Sequence, residues 1–208
     1  MENKSSNGVF KFFLYINNKE KNFKQYQFIK KCLISVIRIP FGMAGILSIR
    51  PFASKKYAND LTVKAILELS NKSFFKELEF LIIGDGELFE ETLKPLRDFK
   101  NITIQQKFLQ QEEIAKLHRE YGIFLNPTRM DSQGVSRDEA GSSGLVPVTN
   151  RVAAIPEFVD EDCGILVEAE DYVGLANAIE FLYKNPKEFL KPKDREWIIY
   201  VTIKKITI

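Results

Sequence analysis

The amino-acid sequence predicts an α/β fold in which a parallel β-sheet is covered by helices on both faces. Between residues 46 and 186, short apolar runs alternate with segments of helical periodicity through five or six units, and this alternation is typical of parallel sheets. Glycine, proline and asparagine also recur where several of the apolar runs end, which is where loops leave a sheet.

Each element follows from a local pattern. Strands are predicted at residues 46–50, 78–83, 102–104, 123–125, 146–149 and 165–167, where β-branched and other apolar residues are continuous. Helices are predicted from a cap at Asn59 or Asp60 to about residue 69, and over residues 88–96, 112–121, 136–143 and 171–183. Asn185-Pro186 stops the last helix. The result is one Rossmann-like domain over residues 46–191.

The two ends of the chain differ from this domain. Residues 1–45 are irregular, with one helix predicted at 21–37, and residues 192–208 form an apolar, β-branched tail with no evident place in the sheet. Residues 1–56 carry eleven Lys and Arg against two Glu, a charge of +9 that leaves about −7 for the remainder. A lysine-rich solvated face is the favoured interpretation, and contact with an acidic membrane surface is the alternative. No nucleic-acid-binding module is recognised.

Composition places the protein among ordinary globular proteins. The chain of 208 residues is 45% hydrophobic, ample for a core, and it has no uncharged apolar run of the roughly 20 residues that a membrane helix needs. The polar start is unlike a signal peptide, so we expect a cytoplasmic protein. Cys32 and Cys163 are expected to be free thiols, because their spacing fits no metal site.

Three groups of residues follow strands, at the sheet edge where such folds bind ligands. Arg50, Lys55 and Lys56 follow the first strand and could hold a diphosphate, although an ordinary basic loop explains them equally well. Gly84-Asp85-Gly86 follows the second strand. It is too short for a dinucleotide fingerprint and is better explained as a tight strand-to-helix turn.

The third group follows the fourth strand. Asp131 and Glu139 lie eight residues apart, and Gly134 between them lets a ligand approach the main chain. A helix start enriched in acids explains these residues equally simply. His118, the single histidine, is predicted to face solvent in the third helix, and no nucleophile pairs with it.

Together these residues resemble the carboxyl-terminal domain of retaining family 4 glycosyltransferases, which have the two-domain GT-B fold. The sequence motif of that family is, in order, an acidic residue, any residue, an aromatic residue, a glycine, any four residues, and then Glu-Ala. Here the segment reads Asp131-Ser132-Gln133-Gly134, four residues, then Glu139-Ala140. The resemblance extends to the pair Arg50 and Lys55 and to segments 143–148, 154–159 and 164–167. In all it covers residues 7–191. Asp131 stands for the usual glutamate, Gln133 for the aromatic, and Ala153-Ala154 for a Gly-Gly.

The resemblance implies a role for each residue in binding a nucleotide sugar. Arg50 and Lys55, or Lys56, would neutralise the leaving diphosphate, with Gly84 and Gly86 at the same donor site. Asp131 would hold hydroxyls of the transferred sugar, and Glu139 those of the ribose. Main-chain N–H groups of Gly134, Val135 and Ser136 would contact sugar or phosphate. The resemblance requires no metal and no cofactor besides the nucleotide-sugar substrate.

The resemblance also implies a missing partner. GT-B enzymes bind the acceptor in an amino-terminal domain, whereas Asn7-Gly8-Val9 resembles their interdomain connection. We therefore expect a half-enzyme that needs a separate acceptor domain and acts in surface polysaccharide or glycolipid synthesis. Peripheral association with the inner face of the membrane is compatible with this expectation. The alternatives are a non-catalytic nucleotide-sugar-binding module or an inactive fragment, and a plain nucleotide-binding Rossmann protein, which would need a dinucleotide fingerprint.

Overall fold

The computed structural model describes residues 43–131, 134–159 and 164–186. The predicted helix at 21–37, nearly all of the basic segment, the tail at 192–208 and both cysteines lie outside these ranges. So do Ser132 and Gln133 of the acid-to-glutamate segment.

Six parallel strands form one sheet in the order β3-β2-β1-β4-β5-β6. The strands are β1 (Gly45–Ile49), β2 (Glu79–Gly84), β3 (Ile102–Gln106), β4 (Ile123–Leu125), β5 (Val146–Asn150) and β6 (Ile165–Val167). The predicted α/β class with a parallel sheet is therefore confirmed. The chain reverses its direction of winding between β1 and β4, and the carboxyl ends of these two strands form the crevice where doubly wound sheets bind ligands.

In the described ranges, four α-helices connect successive strands and a fifth follows β6. They are α1 (Asn59–Leu69), α2 (Phe89–Leu93), α3 (Gln111–Leu117), α4 (Val135–Ser142) and α5 (Tyr172–Lys184). The predicted cap of α1 is wrong: Ala58, with φ of 50°, precedes the helix, and both Asn59 and Asp60 lie in its first turn. Asn59 instead donates from Nδ2 to the Pro51 carbonyl at 2.8 Å. Asp171 caps α5 by accepting from the Gly174 N–H at 2.7 Å.

Apolar residues form a core on each face of the sheet. Ile46, Ile82 and Val148 point to one face and pack with residues of α1 and α5. Leu47, Ile83 and other residues of alternate positions point to the second face and pack with Tyr121, Ala140 and Leu145. This alternation places helices on both faces, as predicted. Within the described ranges, no helix is both long enough and apolar enough to cross a membrane.

The prediction that His118 faces solvent is wrong. The side chain is 1% exposed, its Nδ1 lies 3.1 Å from Ser143 Oγ, and its ring meets Phe124 edge-on with centroids 6.0 Å apart. Burial lowers the pKa of His118 to about 4, so the imidazole is neutral at pH 7. The spacing explains the error, because His118 lies four residues after Ile114 and so on the same inward face.

Candidate functional site

Arg50 and Asp131 meet at the crevice between β1 and β4. Arg50 directly follows β1, and Asp131 lies in the loop after β4. Burial lowers the pKa of the Arg50 guanidinium, and the charge of nearby Asp131 opposes that change. An arginine remains protonated at any physiological pH. The structure thus brings a buried cation and a carboxylate from two separate predicted groups into one site.

The Arg50 side chain has hydrogen-bonding capacity that the protein leaves unused. It is 6% exposed, its Nη2 lies 3.5 Å from the Pro127 carbonyl oxygen, and its Nε has no hydrogen-bond partner among the described residues. The guanidinium carbon lies 5.2 Å from the centre of the Tyr57 ring. Because a buried donor without a partner is costly, this arginine is suited to an anionic ligand.

The two lysines after β1 have different surroundings. They form a short 3-10 turn, Lys55–Tyr57, in which the Lys56 N–H donates to Ser54 Oγ at 3.4 Å. The Lys56 ammonium lies 5.0 Å from the centre of the Tyr57 ring, the same ring that Arg50 contacts. Lys55 contributes its carbonyl oxygen, which accepts from Arg129 Nη1 at 2.8 Å. Lys56 is therefore the lysine that shares an aromatic ring with Arg50.

Gly84 and Gly86 pack closely against the main chain at Arg50 and Phe52. A Cβ atom on Gly84 would lie 1.9 Å from the Arg50 carbonyl oxygen, and one on Gly86 would lie 2.4 Å from the Phe52 carbonyl carbon. Gly86 also has φ of 142°. The Phe52 N–H donates to the Asp85 carbonyl at 2.7 Å, so the segment has the predicted tight turn. The two glycines let the end of β2 pack directly against the main chain that carries Arg50.

Asp131 holds the loop that precedes α4. Its Oδ1 accepts from the Gly134 N–H at 2.6 Å, and Gly134 has φ of 67°, a conformation that favours glycine. The Gly134 N–H that we expected to face a ligand is thus bonded to Asp131 in this structure. Val135 and Ser136 begin α4 at the surface of the crevice, with Val135 exposed and Ser136 half-buried.

Glu139 lies in the middle of α4, where it is half-buried. Burial raises the pKa of its carboxyl to about 7, and the neighbouring charge of Asp138 adds to this effect. At neutral pH, the Glu139 carboxyl is therefore protonated in some molecules and charged in the others. A hydroxyl-rich ligand that donates hydrogen bonds would favour the charged form.

Two arginines near this site were not predicted. Arg137 in α4 is 1% exposed; its Nη2 donates to Asp138 Oδ1 at 2.8 Å, and a Cβ on Gly134 would lie 2.4 Å from its guanidinium carbon. Its position shares a helical face with buried Ala140 and Gly141, a sequence signal that could have identified it. Arg129, in the loop after β4, bonds to Asp60 and Glu170; no sequence pattern indicates those partners.

In the part of the chain that the structure describes, no cluster of three or more His, Cys, Asp or Glu side chains could hold a metal ion.

One known protein family matches the chain. Residues 45–185 match the family described as Glycosyl transferases group 1. Among curated protein sequences, none matches the chain significantly.

Solved structures share the fold at low sequence identity. The C-terminal domain of a glycosyl transferase group 1 family protein (LpcC) from Francisella tularensis is 20% identical, with a TM-score of 0.63, over 90% of this chain and 94% of that chain. The catalytic domain of cholesterol-α-glucosyltransferase from Helicobacter pylori is also 20% identical, with a TM-score of 0.63, over 80% and 99%. S. aureus TarM, in a complex with UDP, is 18% identical with a TM-score of 0.62 over 79% of this chain.

The chain spans only part of the length of TarM. The chain covers 36% of TarM and corresponds to an isolated C-terminal domain in the Francisella structure. The described residues therefore have the Rossmann-like fold of the C-terminal half of a GT-B glycosyltransferase. Since the family match extends over residues 45–185, well over half of the sequence, the chain belongs to the Glycosyl transferases group 1 family.

Proposed function

We propose that this chain is the donor-binding half of a glycosyltransferase, which transfers a sugar from a nucleotide sugar with retention of anomeric configuration. The observation that carries the proposal is Arg50, a buried cation at the crevice between β1 and β4. Its Nε has no hydrogen-bond partner among the described residues. Family membership supports a sugar nucleotide as the anion that it binds.

The cations would act on the leaving group. Cleavage of the bond between the anomeric carbon and the diphosphate oxygen leaves negative charge on the diphosphate. Arg50 would donate hydrogen bonds to this group, and Lys56 (or Lys55) would add a point charge. Because Gly84 and Gly86 fix the main chain behind Arg50, the cation is in place before charge develops, which is the efficient form of electrostatic catalysis.

The carboxylates would select the two sugars. Glu139 would accept hydrogen bonds from ribose hydroxyls, and Asp131 from hydroxyls of the transferred sugar. If Asp131 turns toward the sugar, it releases the Gly134 N–H, which then becomes a donor for the ligand beside those of Val135 and Ser136. The loop can thus exchange an internal hydrogen bond for contacts with the donor.

A second domain, on a longer form of this chain or on a partner chain, would bind the acceptor. The acceptor class that we propose is a surface polysaccharide or a glycolipid. Two structures of the same fold favour it, since one contains α-GlcNAc-glycerol and UDP and the other is named for glucosylation of cholesterol. Adding a candidate acceptor domain to the purified chain and measuring sugar transfer tests this part of the proposal.

Calorimetric titration of the full chain with UDP-, GDP- and ADP-sugars tests donor binding. We expect at least one to bind and Arg50→Ala to weaken binding by roughly 10- to 100-fold, the range for a hydrogen bond between charged groups. Glu139→Ala should weaken the same donor. Binding of none of these donors would contradict the proposed function.

Arg97→Ala and Glu90→Ala provide matched controls. These residues form an exposed ion pair with each other, on α2 and the segment that follows it. We expect both variants to bind the donor as the unmodified chain does. A donor that binds equally well to the Arg50→Ala and Glu139→Ala variants would show that the site lies elsewhere.

A further inference from the structure

Arg129 joins two acidic residues that are distant in sequence. Its Nη1 and Nη2 donate to the two carboxylate oxygens of Asp60, at 2.8 and 2.9 Å. Its Nε and Nη2 donate to the two carboxylate oxygens of Glu170, at 2.6 and 2.8 Å. Two bidentate contacts use the planar guanidinium fully, in a way that lysine cannot reproduce.

The same loop holds the main chain of the lysine turn. The Arg129 N–H donates to the Lys56 carbonyl at 2.8 Å, and Thr128 Oγ1 donates to the same oxygen at 3.1 Å. Arg129 Nη1 donates to the Lys55 carbonyl at 2.8 Å. Both lysine carbonyls are therefore bonded to the loop after β4, although more than seventy residues separate the segments.

Backbone strain occurs at both places that Arg129 contacts. Ala58, between Lys56 and Asp60, has φ of 50°, and Glu170 itself has φ of 61°. These are two of the three non-glycine residues with positive φ in the described part of the chain. Such conformations cost roughly 1–3 kcal/mol each and persist only where surrounding contacts enforce them. Arg129 supplies such contacts to Glu170 itself and to Lys56 and Asp60, which lie on either side of Ala58.

Arg129 is not arranged to bind the donor itself. Its guanidinium is already paired with two carboxylates, and hydrogen bonds to Asp60 and then Glu170 raise its pKa further. The bond from Arg129 is also the main cause of the lowered pKa of Asp60. Arg129 thus acts as a permanently charged cross-link. Its influence on a ligand must pass through the residues that it holds.

We propose that Arg129 is a positioning residue of the donor site, which fixes the Lys55–Tyr57 turn so that Lys56 and Tyr57 are placed beside Arg50. This inference rests on the proposed function, because it concerns the same diphosphate. The contacts to the two lysine carbonyls carry it, since they set where the turn lies relative to the loop that bears Asp131. Without the Arg129 side chain, the turn keeps the bonds to the Lys56 carbonyl from the main-chain N–H of residue 129 and from Thr128 Oγ1. It loses the bond to the Lys55 carbonyl and the link to Asp60, and with them the fixed position of its charges.

The test is a double-mutant cycle on the full chain, with UDP, GDP and ADP as calorimetric probes. We expect Arg129→Gln to weaken binding of the nucleoside diphosphate by roughly 10-fold, and Arg129→Lys to weaken it less. In the Lys56→Ala background, Arg129→Gln should cause little further loss, because the lysine whose position it controls is gone. A purely structural role would lower the melting temperature without this coupling.

Arg97→Gln is the charge-matched control and should leave nucleotide affinity unchanged. If the unmodified chain binds none of these three nucleotides, the proposed function and this inference both fail. If it binds but Arg129→Gln has the same affinity, only the inference fails. Losses that add fully in the double mutant would also overturn it, because Arg129 would then not act through Lys56. Should Arg129→Gln not fold, Arg129→Lys completes the same cycle.

Discussion

Donor binding should depend on pH through Glu139. Burial raises the pKa of its carboxyl to about 7, whereas hydrogen bonds from two hydroxyls, one to each carboxyl oxygen, favour the charged form. Only the fraction of molecules with an ionised Glu139 is then competent to bind with full affinity. The observed dissociation constant equals the intrinsic constant divided by that fraction.

The size of the effect follows from the pKa. With a pKa of about 7, about one molecule in ten carries the carboxylate at pH 6 and about nine in ten at pH 8. We therefore expect affinity to rise about tenfold between these two values. Binding should also release about half a proton at pH 7, because the ligand favours the ionised form.

Titration calorimetry in buffers of different ionisation enthalpy measures both quantities. The ligand should be an intact nucleotide sugar, because its diphosphate is esterified at both ends and does not titrate between pH 6 and 8. His118 cannot imitate the effect, since it is the only histidine and its pKa is about 4. Glu139→Gln should bind weakly and show no pH dependence. Equal affinity at pH 6 and pH 8, or a slope that persists in Glu139→Gln, would refute the reasoning.

Three further predictions concern the fold and the site. The lowered pKa of His118 contributes stability that is fully present above pH 6.5 and lost as pH falls toward 4. This loss amounts to about 3 kcal/mol in the free energy of unfolding, and it should be absent in His118→Asn, as measured by urea unfolding across that pH range. Gly84→Ala should reduce the free energy of unfolding by about 1–3 kcal/mol and weaken donor binding, because the new Cβ displaces Arg50. In the control Gly45→Ala, the Cβ would only meet the Tyr121 ring at 3.2 Å, and donor binding should be normal. In calorimetric titrations, Lys56→Ala should weaken donor binding by roughly tenfold and Lys55→Ala much less. A larger loss of affinity in Lys55→Ala would contradict the inference that Lys56, which shares the Tyr57 ring with Arg50, is the lysine that acts on the donor.

The sequence was sufficient to predict the sheet and most element boundaries. Alternation of apolar runs with helical periodicity fixed six parallel strands, because parallel strands buried on both faces carry an unusually clear signal. The predicted helix at 136–143 differs by one residue at each end from α4 (Val135–Ser142). Gly134 explains the difference, since its left-handed conformation sets the start of the helix one residue earlier.

The contacts within the site could not be predicted in the same way. The pairing of Arg129 with Asp60 and Glu170 joins two loops and the first turn of α1, and nothing local in the sequence specifies which carboxylates a loop arginine meets. Ala153 illustrates the same limit: it stands where a glycine is usual in the resembling family and has φ of 47°. The sequence shows the replacement, but only the backbone shows that alanine is strained there.

The electrostatics of the empty site explain why these residues are arranged as they are. Arg50 is desolvated with an unused donor, and Glu139 is held near half protonation. Glu139 contributes stability that is present below pH 4.5 and lost as pH rises through about 7, so ionising it costs the empty fold free energy. A nucleotide sugar would relieve both conditions at once, since its diphosphate satisfies Arg50 and its ribose hydroxyls favour the Glu139 carboxylate. On the proposed function, the affinity of the site would be built from contacts that the described residues leave incomplete on their own.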